Sequence, residues 1–299
     1  MSMKADVVII GAGPAGLTAG IFASRAGLKT ICVEALAIGG QASLTYEITN
    51  YPGFKSISGF DLTSSMAEQA QACGVQIEYG KVESLTKTKS GFEVKTKTET
   101  FTSEKVIVAC GSKVRKLNLP NEEKLTGHGV SYCASCDGNF FKNKTVAVVG
   151  GGNTAFADVI YLSNLAKKVY LINRSERYRG AKTTFEKIKK LSNVEILSST
   201  VVENLRSTDV LTGIEINTNG TKKELAIDGL FVAIGYEANF NFVKFDVETD
   251  ENGYIKVDES KQTSVKNLFA CGDATSKKFK QVITACADGA IAGNSCVGA

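Results

Sequence analysis

The pattern that most narrows the folds open to this chain occurs twice. Val7 to Ile10 is a continuous apolar run suited to a strand buried on both faces, and Gly11, Gly13 and Gly16 follow at the spacing GxGxxG. Leu17 to Ala26 read as a helix that Gly27 ends, Thr30 to Val33 as the next strand, and Glu34 closes that strand. Lys144 to Val149 repeat the first strand, Gly150, Gly152 and Ala155 the glycine turn, and Phe156 to Leu165 the helix. Val169 to Ile172 repeat the second strand, which ends at Asn173. Gly11 to Glu34 and Gly150 to Asn173 each span 23 positions, so the copies are in register. Such a unit binds a dinucleotide: glycines let the backbone approach a pyrophosphate at the helix N-terminus, and a terminal carboxylate bonds a ribose diol. An adventitious glycine turn competes with that reading for either copy alone. In the second copy an amide replaces the acid, which removes a charge that would repel a ribose 2′-phosphate, and Arg174 and Arg179 lie just beyond.

Between the helix signals of the two copies stands CASCDG, with Cys133 and Cys136 two residues apart and Asp137 next. Thiols at this spacing can close into a disulfide and reopen, one attacking a partner's disulfide while the other resolves the mixed intermediate. Half of a four-cysteine zinc site looks the same. That alternative needs a second ligand pair, whereas Cys32, Cys73, Cys110, Cys271, Cys286 and Cys296 stand singly and His128 is the only histidine. The single cysteines read as small buried hydrophobes and His128 as an ordinary loop residue.

With 299 residues, the chain suffices for one large domain or two ordinary ones, and 43% hydrophobic against 22% charged residues places it among soluble globular proteins. The apolar run in MSMKADVVIIGAG is interrupted too soon for a signal peptide or membrane span, so the expected location is the cytoplasm, away from any membrane. In a reducing compartment a close cysteine pair is more often catalytic than a permanent staple. Of the net charge of +4, a local +7 falls between Lys167 and Lys190, where nine Lys or Arg meet two Glu, leaving −3 elsewhere. A solvated helix face and a site for phosphate or an acidic partner are the two readings. No aromatic-interleaved basic stripe points to nucleic acid.

Around the repeated units come β-rich stretches at 91–102, 105–111, 210–225 and 230–235. Asp273 follows a buried-looking strand and Gly272, where a short carboxylate can reach a polar ligand atom, and a helix is expected over Val282 to Ala292. Pro120 marks one expected domain junction, and the stretch from Tyr236 to Phe245 the other.

Taken in order, GAGPAG, NYPGF, CASCDG, GGGNTA and ACGDA make the chain resemble the low-molecular-weight, bacterial-type thioredoxin reductases over almost its whole length. The resemblance implies an α/β fold of the glutathione-reductase-like flavoprotein kind, with two Rossmann-like dinucleotide-binding domains, the second inserted in the first. Residues 1–116 and 242–299 would form the FAD domain, and 117–241 a nucleotide-binding-like domain carrying the CxxC. It further implies a homodimer, and a rotation of one domain against the other that lets the disulfide alternate between flavin and thioredoxin. Gly11, Gly13, Gly16 and Glu34 would bind the ADP half of FAD, while Gly40, Gln41, Asn50, Gly272, Asp273 and Gln281 would flank the flavin and its ribityl chain. Cys136 would face the flavin, Cys133 would attack thioredoxin, and Asp137 would shuttle the proton. Gly150, Gly152, Ala155, Arg174 and Arg179 would form a nucleotide or donor site, and no metal is required.

The resemblance also leaves the electron donor at issue. Members that use NADPH carry HRR and a later Arg after the second unit, where this chain has Asn173, Arg174, Ser175 and then Arg179. The family's Arg-Gln before the last helix is Lys280-Gln281, and Ala238 replaces a proline in GYEA. A subgroup of similar flavoenzymes takes electrons from ferredoxin and binds no pyridine nucleotide. The basic segment 167–190 and the cluster Lys277-Lys278-Phe279-Lys280 would suit such an acidic carrier. The expectation is therefore reduction of thioredoxin with ferredoxin as donor, the retained GGGNTA keeping NADPH as the alternative. A dithiol oxidase passing electrons to oxygen and a non-catalytic flavin-bound redox sensor are the rival readings on the same scaffold.

Overall fold

The computed structural model describes residues 2–45, 47–238 and 240–298, and divides into two compact units, Met1–Lys113 with Glu237–Ala299, and Val114–Tyr236. In the first unit, Val7–Ile10 lies between Thr30–Glu34 and Lys105–Val108, with Val7 opposite Thr30 and Lys105. Gln76–Tyr79 and Leu268–Ala270 complete a five-stranded parallel sheet. Alternate residues of an extended chain face opposite sides. Val7 and Ile9 accordingly join a core with helices Pro14–Arg25, Gly59–Ala72 and Val282–Gly298. Val8 and Ile10 pack on the other side with Leu85, Phe92, Val94 and Phe101, from a second, smaller sheet. The unbroken apolar run is therefore buried on both faces, as a central parallel strand requires.

The second unit repeats this plan. Thr145–Val149 lies between Lys168–Ile172 and Gly229–Val232 in a five-stranded parallel sheet that also contains Val130–Ser131 and Val194–Leu197. Val146 and Val148 face helices Asn153–Ser163 and Lys182–Ile188, while Ala147 and Val149 face an antiparallel sheet of Thr200–Ser207, Leu211–Thr218 and Thr221–Ala226. Both units are thus dinucleotide-binding folds of the Rossmann kind, the second inserted in the first.

Two sequence-based boundaries move. The chain leaves the first unit at 113/114 rather than 116/117, because Leu117 and Leu119 already donate their backbone N–H groups to Glu122 of the second unit, and Pro120 lies inside that unit. It returns at 236/237 rather than 241/242, and Phe242, Val243 and Phe245 pack into the first unit's core. The last helix runs past Ala292 to Gly298, with Lys105 Nζ donating to the carbonyl of Cys296 at 2.6 Å near its C-terminus. Among the described residues no helix is long and apolar enough to cross a membrane.

That last helix lies so close to helix Pro14–Arg25 that a methyl group on Gly289 would meet the carbonyl oxygen of Ala15, and one on Gly293 that of Ala19. Gly289→Ala gains about 1 kcal/mol of helix propensity but meets rigid backbone, where overpacking costs about 1–3 kcal/mol. Thermal unfolding should therefore show a net loss of up to about 2 kcal/mol, and a variant more stable than the parent would contradict this packing.

Candidate functional site

The first glycine turn is shaped by close approach. Gly11 has φ +109° and its backbone lies against Ala109, so that a Cβ would sit 2.5 Å from the Ala109 oxygen; a Cβ on Gly16 would strike the oxygen of Gly11. Gly13, the residue preceding helix Pro14–Arg25, has open space beside it. Glu34 is buried at the end of its strand, where Oε2 accepts from Ala12 N–H at 2.7 Å and Oε1 from Leu36 N–H at 2.9 Å. These bonds fix the carboxylate beside the turn while leaving it lone pairs for a ribose diol.

Distant segments join this turn. Gly40 opens a short turn, with Gln41 exposed beside it, and its ideal Cβ would lie 3.4 Å from the Cα of Gly13. Gly272 stands against Ala15, and Asn50 Nδ2 donates to Gln281 Oε1 at 2.9 Å. Asp273 follows Gly272, and its Oδ1 is buried without a hydrogen-bond partner. Burial pushes this carboxyl up, against the opposing pull of Lys277 and Lys280. The fold therefore brings Gly11, Gly13, Gly16, Glu34, Gly40, Gly272 and Asp273 to one edge of the first unit. Glycines that let the backbone come close stand there with an acid whose buried oxygen can accept from a hydroxyl.

In the second unit, Cys133 and Cys136 are joined by a disulfide, with Cα atoms 5.3 Å apart. Among the described residues no group of three or more His, Cys, Asp or Glu could hold a metal. Cys133 caps the short helix Ala134–Asp137, and its Sγ accepts from Cys136 N–H at 3.3 Å. Asp137 accepts from Ser131 Oγ at 2.6 Å. The residue before the pair, Tyr132, donates its hydroxyl to buried Glu122 at 2.8 Å, and the same carboxylate takes Leu117 N–H at 2.9 Å and Leu119 N–H at 3.2 Å. One buried acid thus holds the entry to the unit and the approach to the disulfide.

At the second fingerprint, Gly150 and Gly152 lead into helix Asn153–Ser163, in whose first turn Ala155 is buried, as Gly11 and Gly13 lead into theirs. Asn173 stands buried where Glu34 stood, but its Nδ2 donates to the carbonyls of Ser175 at 2.7 Å and Arg177 at 3.2 Å. The loop returns to the glycine turn through Arg179 N–H, which donates to the Gly151 carbonyl at 2.7 Å. The result is a cavity of about 290 Å³ lined by Gly151, Asn173, Arg174, Ser175, Arg177 and Arg179. Three guanidinium groups and no carboxylate line it, a setting for a phosphate dianion. Arg177, which the sequence offers beside Arg174 and Arg179 for a 2′-phosphate, is the third.

Four of the remaining thiols are disfavoured as thiolates. Cys32, Cys271, Cys286 and Cys296 are buried, and Cys73 and Cys110 half-buried. Burial pushes the thiols of Cys32 and Cys271 far up and that of Cys296 to about 12. Lys277 and Lys280, expected in a docking patch, turn inward: Lys277 Nζ lies 2.8 Å from Asp288 Oδ2, and Lys280 Nζ donates to the Asp273 carbonyl at 2.9 Å. Only Lys278 of that lysine cluster is exposed.

The family described as "Pyridine nucleotide-disulphide oxidoreductase" matches residues 5–289. A thioredoxin reductase of Treponema pallidum is 40% identical over 298 residues, covering 99% of this chain and 97% of that protein. The crystal structure of Lactococcus lactis thioredoxin reductase superposes with a TM-score of 0.82 at 34% identity, covering 98% of each chain. A ferredoxin-flavin thioredoxin reductase of Clostridium acetobutylicum covers 100% of this chain and 98% of its own at 29% identity, with a TM-score of 0.55.

Sequence reading passed over Asp158. It lies on helix Asn153–Ser163, on the flank it shares with Tyr161 and Leu162. Gly138 packs there directly after the CASCD turn, its ideal Cβ 2.8 Å from Tyr161 Cε1 and 3.1 Å from Leu162 Cδ2. Burial alone pushes the Asp158 carboxyl up to about 7. An acid whose folded pKa is raised holds a proton that the unfolded chain has lost, so it costs stability increasingly between about pH 4 and 7 and by a constant amount above. Asp158→Asn should therefore stabilise the protein at pH 8 by about 2–4 kcal/mol more than at pH 4, measured by urea unfolding at both values. An equal effect at the two pH values would show that Asp158 is not held neutral.

Proposed function

The chain belongs to the thioredoxin reductases of the pyridine nucleotide-disulphide oxidoreductase family, and we propose that it draws electrons from NADPH through FAD to reduce a thioredoxin disulfide. The observation that carries the choice of donor is the cavity at the second fingerprint. The gap left by Ser175 in the arginine pattern is offset by Arg177, and Asn173 leaves no carboxylate to repel a 2′-phosphate. What favours ferredoxin instead is the surface from Lys167 to Lys190, where Lys167, Lys182, Lys187 and Lys190 are exposed. The inward turn of Lys277 and Lys280 takes away part of that argument.

FAD suits the first unit. Glu34 would take the ribose hydroxyls, Gly11, Gly13 and Gly16 would admit the pyrophosphate, and Asp273 would accept from a hydroxyl of the ribityl chain. Gly40, Gln41, Asn50, Gly272 and Gln281 would border the remainder. When bound, the flavin supplies the two-electron reduction that opens the Cys133–Cys136 bond.

The chemistry of the pair itself is thiol–disulfide exchange. With the pair reduced, the Cys133 thiolate, favoured by the Cys136 N–H at its sulfur, attacks one sulfur of the thioredoxin disulfide. A mixed disulfide forms and the other thioredoxin sulfur leaves as thiolate. The Cys136 thiolate then attacks Cys133 Sγ, which restores the Cys133–Cys136 bond and releases the second thioredoxin sulfur. Asp137, held by Ser131, is the carboxylate through which protons reach the departing thiolates. A homodimer is part of the same proposal.

Cys133→Ser and Cys136→Ser should each abolish thioredoxin reduction, and only loss of Cys136, the resolving thiol, should leave a stable mixed disulfide on non-reducing gels. Trapping through Cys136 would reverse the two roles. Under anaerobic conditions NADPH should bleach the flavin and yield thioredoxin thiols, whereas turnover with reduced ferredoxin alone would establish the other donor. Arg177→Gln should raise the KM for NADPH by about tenfold or more, one charge-assisted phosphate contact being worth about 1.5–3 kcal/mol, and leave that for NADH nearly unchanged.

A further inference from the structure

The flavin reading of the first unit, on which this inference rests, gives Asp273 a task that needs a charged oxygen in a place that disfavours charge. Its Oδ1 is buried with no hydrogen-bond partner, while the side chain as a whole is 36% exposed. A protonated carboxyl there would be a donor at one oxygen and a weak acceptor at the other, and would lose the charge-assisted bond that an ionised group makes with a hydroxyl.

Around it stands a network that the sequence scatters over 28 positions, from Lys261 to Asp288. Asp288 has a side chain only 11% exposed; its Oδ1 is 2.8 Å from Lys261 Nζ, and its Oδ2 is 2.8 Å from Lys277 Nζ. The same Oδ2 accepts from the N–H of Gly272, the residue before Asp273, at 3.3 Å. Lys261 reaches Asp288 from a left-handed backbone, φ 65°, a conformation that a lysine adopts only when its surroundings fix it. Lys277, anchored at Asp288, has its ammonium 3.7 Å from Asp273 Oδ1. Lys280 holds the backbone end of Asp273 through its carbonyl, with its ammonium over the ring of Tyr254.

We propose that Lys277 is a positioning residue of the flavin site: anchored on Asp288, it holds Asp273 ionised and aimed to accept a hydroxyl of the bound cofactor. Lys277 acts through Asp273. Asp288, answered by Lys261 as well, fixes where the ammonium sits, so that a side chain otherwise free in solvent becomes a defined charge beside a buried oxygen.

The groups facing Asp273 are Lys277, Lys280 and Asp288, with Lys261 behind Asp288 and Asp250, held by Ser276 Oγ at 2.6 Å, beyond Lys280. Cys271, next in the chain before Gly272, is buried and remains a neutral thiol. Burial raises the Asp273 carboxyl, Lys277 and Lys280 lower it, and Asp288 raises it again. The charged form is lost as pH falls through that raised folded value, and removing Lys277 must move that loss to higher pH.

The full chain is loaded with FAD and titrated from pH 8 downward while released flavin is followed by its fluorescence. In Lys277→Met the midpoint of release should rise by about one pH unit, while Lys277→Arg should keep the parent midpoint. Lys277→Gln repeats the measurement should the Met variant fail to fold by circular dichroism. In an Asp273→Asn background the Lys277 substitution should add nothing. A midpoint unmoved by both neutral substitutions, or a further loss of FAD on adding one of them to Asp273→Asn, overturns the proposal and leaves the flavin reading standing. A chain that takes up no FAD at pH 8 overturns the flavin reading and this proposal with it.

Discussion

Helix Pro14–Arg25 is held so closely on two sides that the rest of the first unit has little freedom left. On one side Gly16 meets the carbonyl of Gly11, and on the other Gly289 and Gly293 meet the carbonyls of Ala15 and Ala19. Backbone against backbone at these distances admits no side chain, so the contact is satisfied in one register only. Residues near both ends of the chain must therefore fold together, and the intervening segment can only be an insertion. The same contact aligns the site: Gly272 rests on Ala15, and Asp288, the neighbour of Gly289, reaches back to the Gly272 N–H.

The two units show how one scaffold serves two chemistries. Their central strands, glycine turns and helices correspond, and each ends its second strand with a buried polar side chain, Glu34 or Asn173. Glu34 is gripped by two N–H donors and can only accept. Asn173 spends its N–H groups on two carbonyls of the following loop, and so draws three arginines around one cavity. A single change from acid to amide removes the charge that would repel a 2′-phosphate, and so changes which ribose the position suits.

Local spacing carried much of this into the sequence. The glycine turns, Glu34, Asn173 and the CxxC pair are defined within a few tens of residues, and each occupies the element its spacing implies. What depended on distant approach was not legible. Asp288 reads in ACADGAIAG as a polar residue on an ordinary helix, and nothing in the chain announces that Lys261 and Lys277 converge on it. Arg177 was legible as a third arginine beside Arg174 and Arg179, but not the hydrogen bond from Asn173 that folds its loop back. Asp158 left one faint trace, an acid among apolar residues in AFADVIYL. The proline at 120 misled because a rigid turn is as useful inside a domain as at its border.

The burial of the single cysteines has a consequence for traffic within the molecule. A chain that handles disulfides for a living, and carries six further sulfurs, risks passing the bond to the wrong neighbour. Exchange requires a thiolate, and a thiol at about 12 presents one such anion in roughly 10⁴ to 10⁵ copies at neutral pH. Cys32 and Cys271 are shielded still more deeply. For the four buried thiols, core packing therefore acts as insulation around the wire, leaving the mobile bond to the pair that stands two residues apart.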